Sequence, residues 1–325
     1  MSAAPTDRQE TTTVSEPAQP APPTTPDDVE GWFTALDQHL FTWFLDRQER
    51  LDQQGDLLEL GVYLGRSAVL LGRHLRGGER FTVCDLFGSP APDDANDREV
   101  ARAYPELTRA AFERNYLAFH ERLPVVVQAP TSVITDYVRP DGCRFAHVDA
   151  SRLHRHVIAD LAAARSALQA DGIVVCDVRG PAHAPGIASA VWAAVDSDDL
   201  NPVCVTDQKL YGTWGDPEPL RAELLEHLAA EGVRHRVEEI DEHPVIRVSE
   251  PALELEHGDG GDETERELAR LKARLDAYRR EVARLEGELR SRKRQVRAIR
   301  RSHSYRMGRV LTATPRAVRR ITGGS

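Results

Sequence analysis

Residues 56–67 read Asp-Leu-Leu-Glu-Leu-Gly-Val-Tyr-Leu-Gly-Arg-Ser, and few folds accommodate them. The apolar run 57–62 has the length of a buried strand. It enters a turn that carries Gly61 and Gly65, and a helical pattern follows. Strand, glycine turn and helix N-terminus together form a corner that accepts anions and nucleotides. Gly61 lets backbone approach a ligand, and Gly65 lets the helix pack on the strand. Asp85 follows Gly61 by 24 residues, at the end of a second apolar run, 81–84. A carboxylate there is placed to accept hydrogen bonds from ribose hydroxyls. The turn is Gly-x-x-x-Gly rather than Gly-x-Gly-x-x-Gly, which argues against a nicotinamide dehydrogenase.

Strand-like and helical runs alternate from residue 56 to about 250. Strands are expected at 56–62, 80–85, 124–128, 144–149 and 172–177, and helices at 66–76, 98–121, 152–169, 186–196 and 217–231. Such alternation implies crossover connections and a parallel sheet covered on both faces. Residues 203–214 and 237–248 read as antiparallel pairing that closes one edge. The expectation is therefore an α/β, doubly wound, mostly parallel sheet of seven strands. A helix within 28–52 places Trp32, Phe33, Leu36, Leu40, Phe44 and Leu45 on one face, to cover a sheet edge or part of the pocket.

The flanks differ in character. Residues 1–27 are Pro, Thr, Ala, Ser and Gln with almost no large apolar side chain, so they are expected to be disordered. The folded domain is assigned to 28–255 and a polar, glycine-rich linker to 256–262. Residues 263–301 carry heptads, with Leu268, Leu275, Val282, Leu289 and Val296 at a and Leu271, Tyr278, Leu285, Arg292 and Ile299 at d. That pattern predicts a long coiled-coil helix. Its flanking charges attract and repel equally in a parallel pair, so partner and orientation stay open. Residues 262–325 hold 19 Lys/Arg and 8 Asp/Glu, or +11 within a net charge of −10, which leaves −21 for the rest. The basic tail, 302–325, suits contact with an anionic membrane surface; no finger or aromatic-interleaved pattern suggests nucleic acid.

No run of 18 apolar residues occurs, and the N-terminus lacks a basic-then-apolar leader. Cys84, Cys143, Cys176 and Cys204 form no Cys-x-x-Cys pair and sit in apolar runs, as buried free thiols of a reducing compartment do. A cytoplasmic protein is expected, its tail free to meet the inner membrane face.

Two more strands end in acids, at Asp149 and Asp177. Ligands of doubly wound sheets bind beyond the carboxyl ends of the strands. Glu59, Asp85, Asp149 and Asp177 would meet at that edge, and four carboxylates there need cations or hydrogen bonds to offset their repulsion.

The run Glu59-Leu60-Gly61-Val62-Tyr63-Leu64-Gly65 resembles motif I of class I S-adenosylmethionine (SAM) methyltransferases. Residues 56–195 resemble the branch that includes macrocin O-methyltransferase and the cephalosporin-hydroxylase-type proteins. The matching pieces are 59–67, Asp85-Leu86-Phe87, His147-Val148-Asp149, Asp160-Leu161, 170–177 and 185–191. The resemblance implies SAM as cofactor. Glu59, Gly61, Tyr63, Gly65 and Ser67 would surround its methionine part, Asp85 its ribose and Ser132 its adenine. Asp149 and Asp177 would face the acceptor and hold Mg²⁺.

Three departures stand out. Val178 replaces an acid that would ligate the metal, so Mg²⁺ is expected to be held weakly if at all. Arg152 stands where the branch has a histidine base and cannot take a proton, though it supplies positive charge. His154 follows where the branch has a tyrosine. With His156 close by, His154 is assigned as the substitute base, because a neutral imidazole suits removal of a hydroxyl proton. The function expected is O-methylation of a sugar or glycosylated small molecule. The alternative is a catalytically impaired methyltransferase-like scaffold acting through its coiled coil.

Overall fold

Nine strands form one sheet in a computed structural model that describes residues 21–104, 107–178, 185–240 and 242–249. The expectations for 256–262, 263–301 and 302–325, and for 1–20 of the N-terminal segment, concern residues outside that description. Five parallel strands come first: β1 (Asp56–Leu60), β2 (Phe81–Asp85), β3 (Val125–Gln128), β4 (Cys143–Val148) and β5 (Leu168–Asp177). They lie in the order β3-β2-β1-β4-β5, so the chain reverses direction across the sheet between β1 and β4. Such a reversal opens a crevice at the strand ends.

The remaining four strands correct the expected seven. Each late segment holds two strands: β6 (Asn201–Val205) with β7 (Lys209–Thr213), and β8 (His235–Ile240) with β9 (His243–Val248). β7 runs antiparallel beside β5, β6 pairs antiparallel with β7, β9 joins β6 in parallel, and β8 pairs antiparallel with β9 at the edge. A turn at 206–208 joins β6 to β7, and β8 pairs with β9 from Ile240 and His243 onward, so each segment counted as one strand holds two.

Helices cover both faces. α1 (Ala35–Arg50), α2 (Arg66–Arg73), α4 (Arg109–Leu117) and α7 (Glu218–Ala230) pack on one, α5 (His154–Ala167) and α6 (Pro185–Ser197) on the other. The period-2 alternation of the strands divides the core accordingly. Leu57, Phe81, Val83, Phe145 and Val175 meet Phe41, Phe44, Phe112 and Leu224. Leu58, Leu60, Ala146, Val148 and Val174 meet Val157, Leu161, Ile187 and Val191. Each such Val, Leu, Ile or Phe side chain contributes roughly 1.5–3 kcal/mol by leaving water. The single helix expected at 98–121 is instead two, α3 (Asp94–Ala103) and α4. The sequence has proline at 105, which disfavours helix in the residue before it. Thr108 then starts α4, its side chain accepting from the Ala111 N–H at 3.2 Å. No described helix is long and apolar enough to cross a membrane.

The end of the sheet away from the crevice is closed by a buried ion cluster. Arg144 is fully buried; it donates to Glu79 at 3.0 and 3.1 Å, to Gln48 at 2.9 Å and to the His74 carbonyl at 2.6 Å. Arg76 also donates to Glu79. Burial alone would raise the Glu79 carboxyl, but the hydrogen bonds from Arg144 and Arg76 outweigh it and hold the group at about 2. A carboxyl depressed in the fold contributes stability above its unfolded value and loses it as pH falls. Urea unfolding midpoints should therefore drop between pH 4.5 and 2. Glu79→Gln should flatten that acid limb; an unchanged limb would place the acid sensitivity elsewhere.

All four cysteines are free and buried. Burial pushes Cys84, Cys143 and Cys176 up to about 12, so these thiols are inert.

Candidate functional site

The glycine turn after β1 is set by two contacts. Gly61 has φ +80°, and a Cβ there would lie 2.2 Å from the Asp149 carbonyl oxygen and 2.4 Å from the Ala150 Cα. The backbone leaving β4 thus occupies the space a side chain would need, which is a packing requirement the sequence reading assigned to a ligand. Tyr63 is also left-handed, at φ 51°. Asp85 holds this shape: its Oδ2 accepts from the Val62 and Tyr63 N–H groups at 2.7 and 3.0 Å, its Oδ1 from Phe87 at 2.9 Å. Burial raises the Asp85 carboxyl and these backbone donors oppose the rise. Gly65, at φ +95°, caps α2 and leaves no room for a side chain against Phe112.

A cavity of about 230 Å³ opens beside this turn at the carboxyl ends of β1, β2 and β4. Gly61, Tyr63, Asp85, Ser132 and Asp149 all line it, so five residues from four separate stretches converge. Leu86, Leu107, Pro130 and Val100 supply apolar wall. Ser132 sits on a 3-10 turn, Thr131–Asp136, that follows β3. Asp160 on α5 backs this turn; burial raises its carboxyl to about 6, against a hydrogen bond from Thr131.

The roof was not legible in the sequence. α3 lies over the cavity through Asn96, Glu99 and Val100. Glu99 pins it to the loop after β4, accepting from the Arg152 N–H at 2.6 Å and the Ser151 hydroxyl at 2.9 Å. On the other side Trp32 rests against Tyr63 and Tyr104, with ring centroids 5.4 and 6.2 Å apart. The Tyr63 hydroxyl donates to Glu30 at 3.0 Å. A smaller cavity of about 40 Å³ under this aromatic strap is lined by Glu30, Tyr63, Ser67 and Asp149.

Other expected site residues lie elsewhere. Glu59 is fully buried and has no share of the cavity walls. Its Oε1 accepts from the Ser67 hydroxyl at 2.5 Å and lies 2.8 Å from His147 Nδ1. Burial raises the Glu59 carboxyl to about 8, with the Asp149 charge adding to the rise and the Ser67 bond opposing it. His154 is exposed, and its Nδ1 lies 2.9 Å from the Ser189 hydroxyl on α6. That geometry turns it from the cavity, because the first turn of α5 directs the ring toward the neighbouring helix. His156 does line the cavity, with Nε2 3.0 Å from Asp93 Oδ2.

Lys209 has no place in the sequence reading. It is the first residue of β7, paired in register with Asp177 of β5, and is fully buried. Its Nζ lies 3.0 Å from His147 Nε2 and 3.6 Å from both Asp149 Oδ2 and Asp177 Oδ1. An ammonium has only donors, so His147 Nε2 accepts and its Nδ1–H donates to Glu59. Ser67, Glu59, His147, Lys209 and the two aspartates thus form one continuous polar chain across the sheet edge. The turn before Lys209 is fixed by Thr206, which accepts from the Lys209 N–H and donates to the buried Asp37 of α1. A signal did exist: Lys209 is one of three lysines in the chain and directly precedes the apolar pair Leu210-Tyr211.

Residues 58–177 match the family model described as a methyltransferase domain. The fold is similar to that of several solved structures at low identity. One is CalS11, a TDP-rhamnose 3'-O-methyltransferase of calicheamicin biosynthesis, at 21% identity over 55% of this chain and 81% of that one, with a TM-score of 0.37. Another is the O-methyltransferase NovP, at 16% over 55% and 81%, with a TM-score of 0.45. A third is the O-methyltransferase TomG from Streptomyces achromogenes, in complex with SAM, at 15% over 57% and 82%, with a TM-score of 0.36. No curated protein matches the sequence.

Proposed function

We propose, from the premise that residues 58–177 form a class I SAM-dependent methyltransferase domain, that the chain methylates an oxygen of a small acceptor of the sugar type. One observation carries the reading. The cavity at the carboxyl edge of the sheet gathers Gly61, Tyr63, Asp85, Ser132 and Asp149, which the sequence placed around cofactor and acceptor. The sugar acceptor rests on the sequence resemblance over 56–195.

The residues fit the cofactor. Asp85 presents a fixed carboxylate in the cavity wall for ribose hydroxyls. Ser132 and Pro130 flank the end suited to adenine, and Gly61 and Tyr63 the end suited to the methionine part. SAM, when bound, supplies a methyl group already activated on a sulfonium. The chain's task is then to align the acceptor oxygen, exclude water and accept a proton. α3 and the Trp32 strap exclude water. Asp149 lines the main cavity and the smaller ones flanking it, so its carboxylate is the proton acceptor within reach of a bound hydroxyl. It replaces His154 in that role.

Titration calorimetry tests this. SAM should bind and NAD should not; labelled methyl should then pass from SAM to sugar hydroxyls. NAD binding in place of SAM would overturn the reading. SAM binding without transfer to any hydroxylated acceptor would favour the scaffold alternative.

A further inference from the structure

We propose that the Lys209 ammonium occupies the position of a divalent cation between Asp149 and Asp177, so that the site carries its own fixed positive charge and works without a metal. The inference rests on the methyltransferase reading for the location of the acceptor, but its test reads the cation position directly.

Four observations support it. The Lys209 side chain is fully buried, and a buried ammonium is tolerated only when compensated by opposite charge and hydrogen bonds. Its Nζ is equidistant, at 3.6 Å, from one oxygen of each carboxylate. His147 completes the surroundings from below at 3.0 Å, and Glu59 fixes its ring. Finally, the residue after Asp177 is Val178, whose N–H donates to the Gln208 carbonyl at 2.6 Å, which ties the backbone just before Lys209 to the end of β5.

The same residues do not fit a divalent ion. Mg²⁺ requires oxygen ligands at about 2.0–2.1 Å in a near-octahedral set. A doubly charged ion between these two carboxylates would press against a like charge, and Val178 offers no oxygen from its side chain. The antiparallel strand β7 makes the difference, because its register with β5 sets Lys209 beside Asp177.

Lys209 does not touch the cavity, so it acts as a positioning residue. It sits between Asp149 and Asp177, 3.6 Å from an oxygen of each. Asp149 then faces the acceptor as a carboxylate whose orientation is set from beneath.

Mn²⁺ binding, followed by electron paramagnetic resonance on the full chain after EDTA treatment, tests the proposal. The parent protein should take up no Mn²⁺ at micromolar concentration, and its SAM affinity should be the same with and without EDTA. Lys209→Ala opens space between two carboxylates and should bind Mn²⁺ about tenfold more tightly or better. Lys209→Arg retains the charge and should stay indifferent to the metal. Tight Mn²⁺ binding by the parent overturns the proposal, as does a folded Lys209→Ala that gains none. Should Lys209→Ala fail to fold, the parent's Mn²⁺ affinity decides by itself. SAM calorimetry on the same samples separates the two ideas: a parent that binds neither SAM nor Mn²⁺ sinks the methyltransferase reading and leaves the internal cation standing.

Discussion

Asp85→Ala is expected to weaken SAM binding about 10- to 150-fold, measured by calorimetry. Hydrogen bonds to a charged group contribute about 1.5–3 kcal/mol each, and that range converts to this factor. The structure adds a second effect to the proposed ribose contact. The same carboxylate accepts from the Val62, Tyr63 and Phe87 N–H groups and keeps Tyr63 left-handed. Its loss leaves those donors without an acceptor, at a cost of about 1–3 kcal/mol if water cannot reach them. Urea midpoints should fall along with affinity. Asp85→Asn keeps the volume and half of the acceptor capacity, so its stability should lie nearer the parent while its affinity for SAM still falls. An Asp85→Ala protein that binds SAM within threefold of the parent would remove Asp85 from the ribose site.

Gly61→Ala should be the most destabilising single methyl in the domain. The added carbon would lie 2.2 Å from one backbone atom and 2.4 Å from another, at φ +80°. A left-handed backbone costs a non-glycine residue about 1–2 kcal/mol, and forced overpacking about 1–3 more. The clashing atoms belong to the Asp149–Ala150 backbone, which is tied to β1 by the Asp149 N–H to Leu60 carbonyl bond at 2.7 Å. The chain cannot yield there without moving Asp149 itself. A fall in melting temperature of about 10 °C is expected for a domain of this size. Gly77→Ala is the control, since nothing lies within 4 Å of a Cβ added there and its φ is not left-handed. If Gly61→Ala melted with the control, the close approach of β4 to the turn would be wrong.

The α/β domain was legible because its signals are local. The run 57–62, the two glycines and Asp85 lie within one strand-turn-helix-strand unit, and hydrophobic period alone distinguishes its parts. The same logic placed Asp149 and Asp177 at strand ends. It failed at β6–β7 and β8–β9, where each segment was counted as one strand although the polar residues 206–208 and 241–242 interrupt it. It failed at α3, where a broken helix reads as one until its N-terminus is seen to reach back over the cavity.

The sequence by itself determined that strands would deliver acids to one edge and that four carboxylates there would need an offset. Only the tertiary structure decided what the offset is. Glu59 faces His147 because β1 and β4 are neighbours in register, 88 positions apart in the chain. Lys209 faces Asp177 because β7 runs backwards beside β5. His154 leaves the site for a similar reason: α6 packs beside α5 and offers Ser189 to its ring. Hydrophobic period is a property of neighbours along the chain, whereas charge pairing is a property of neighbours across the sheet. Strand order and register, which no local pattern encodes, convert the first into the second.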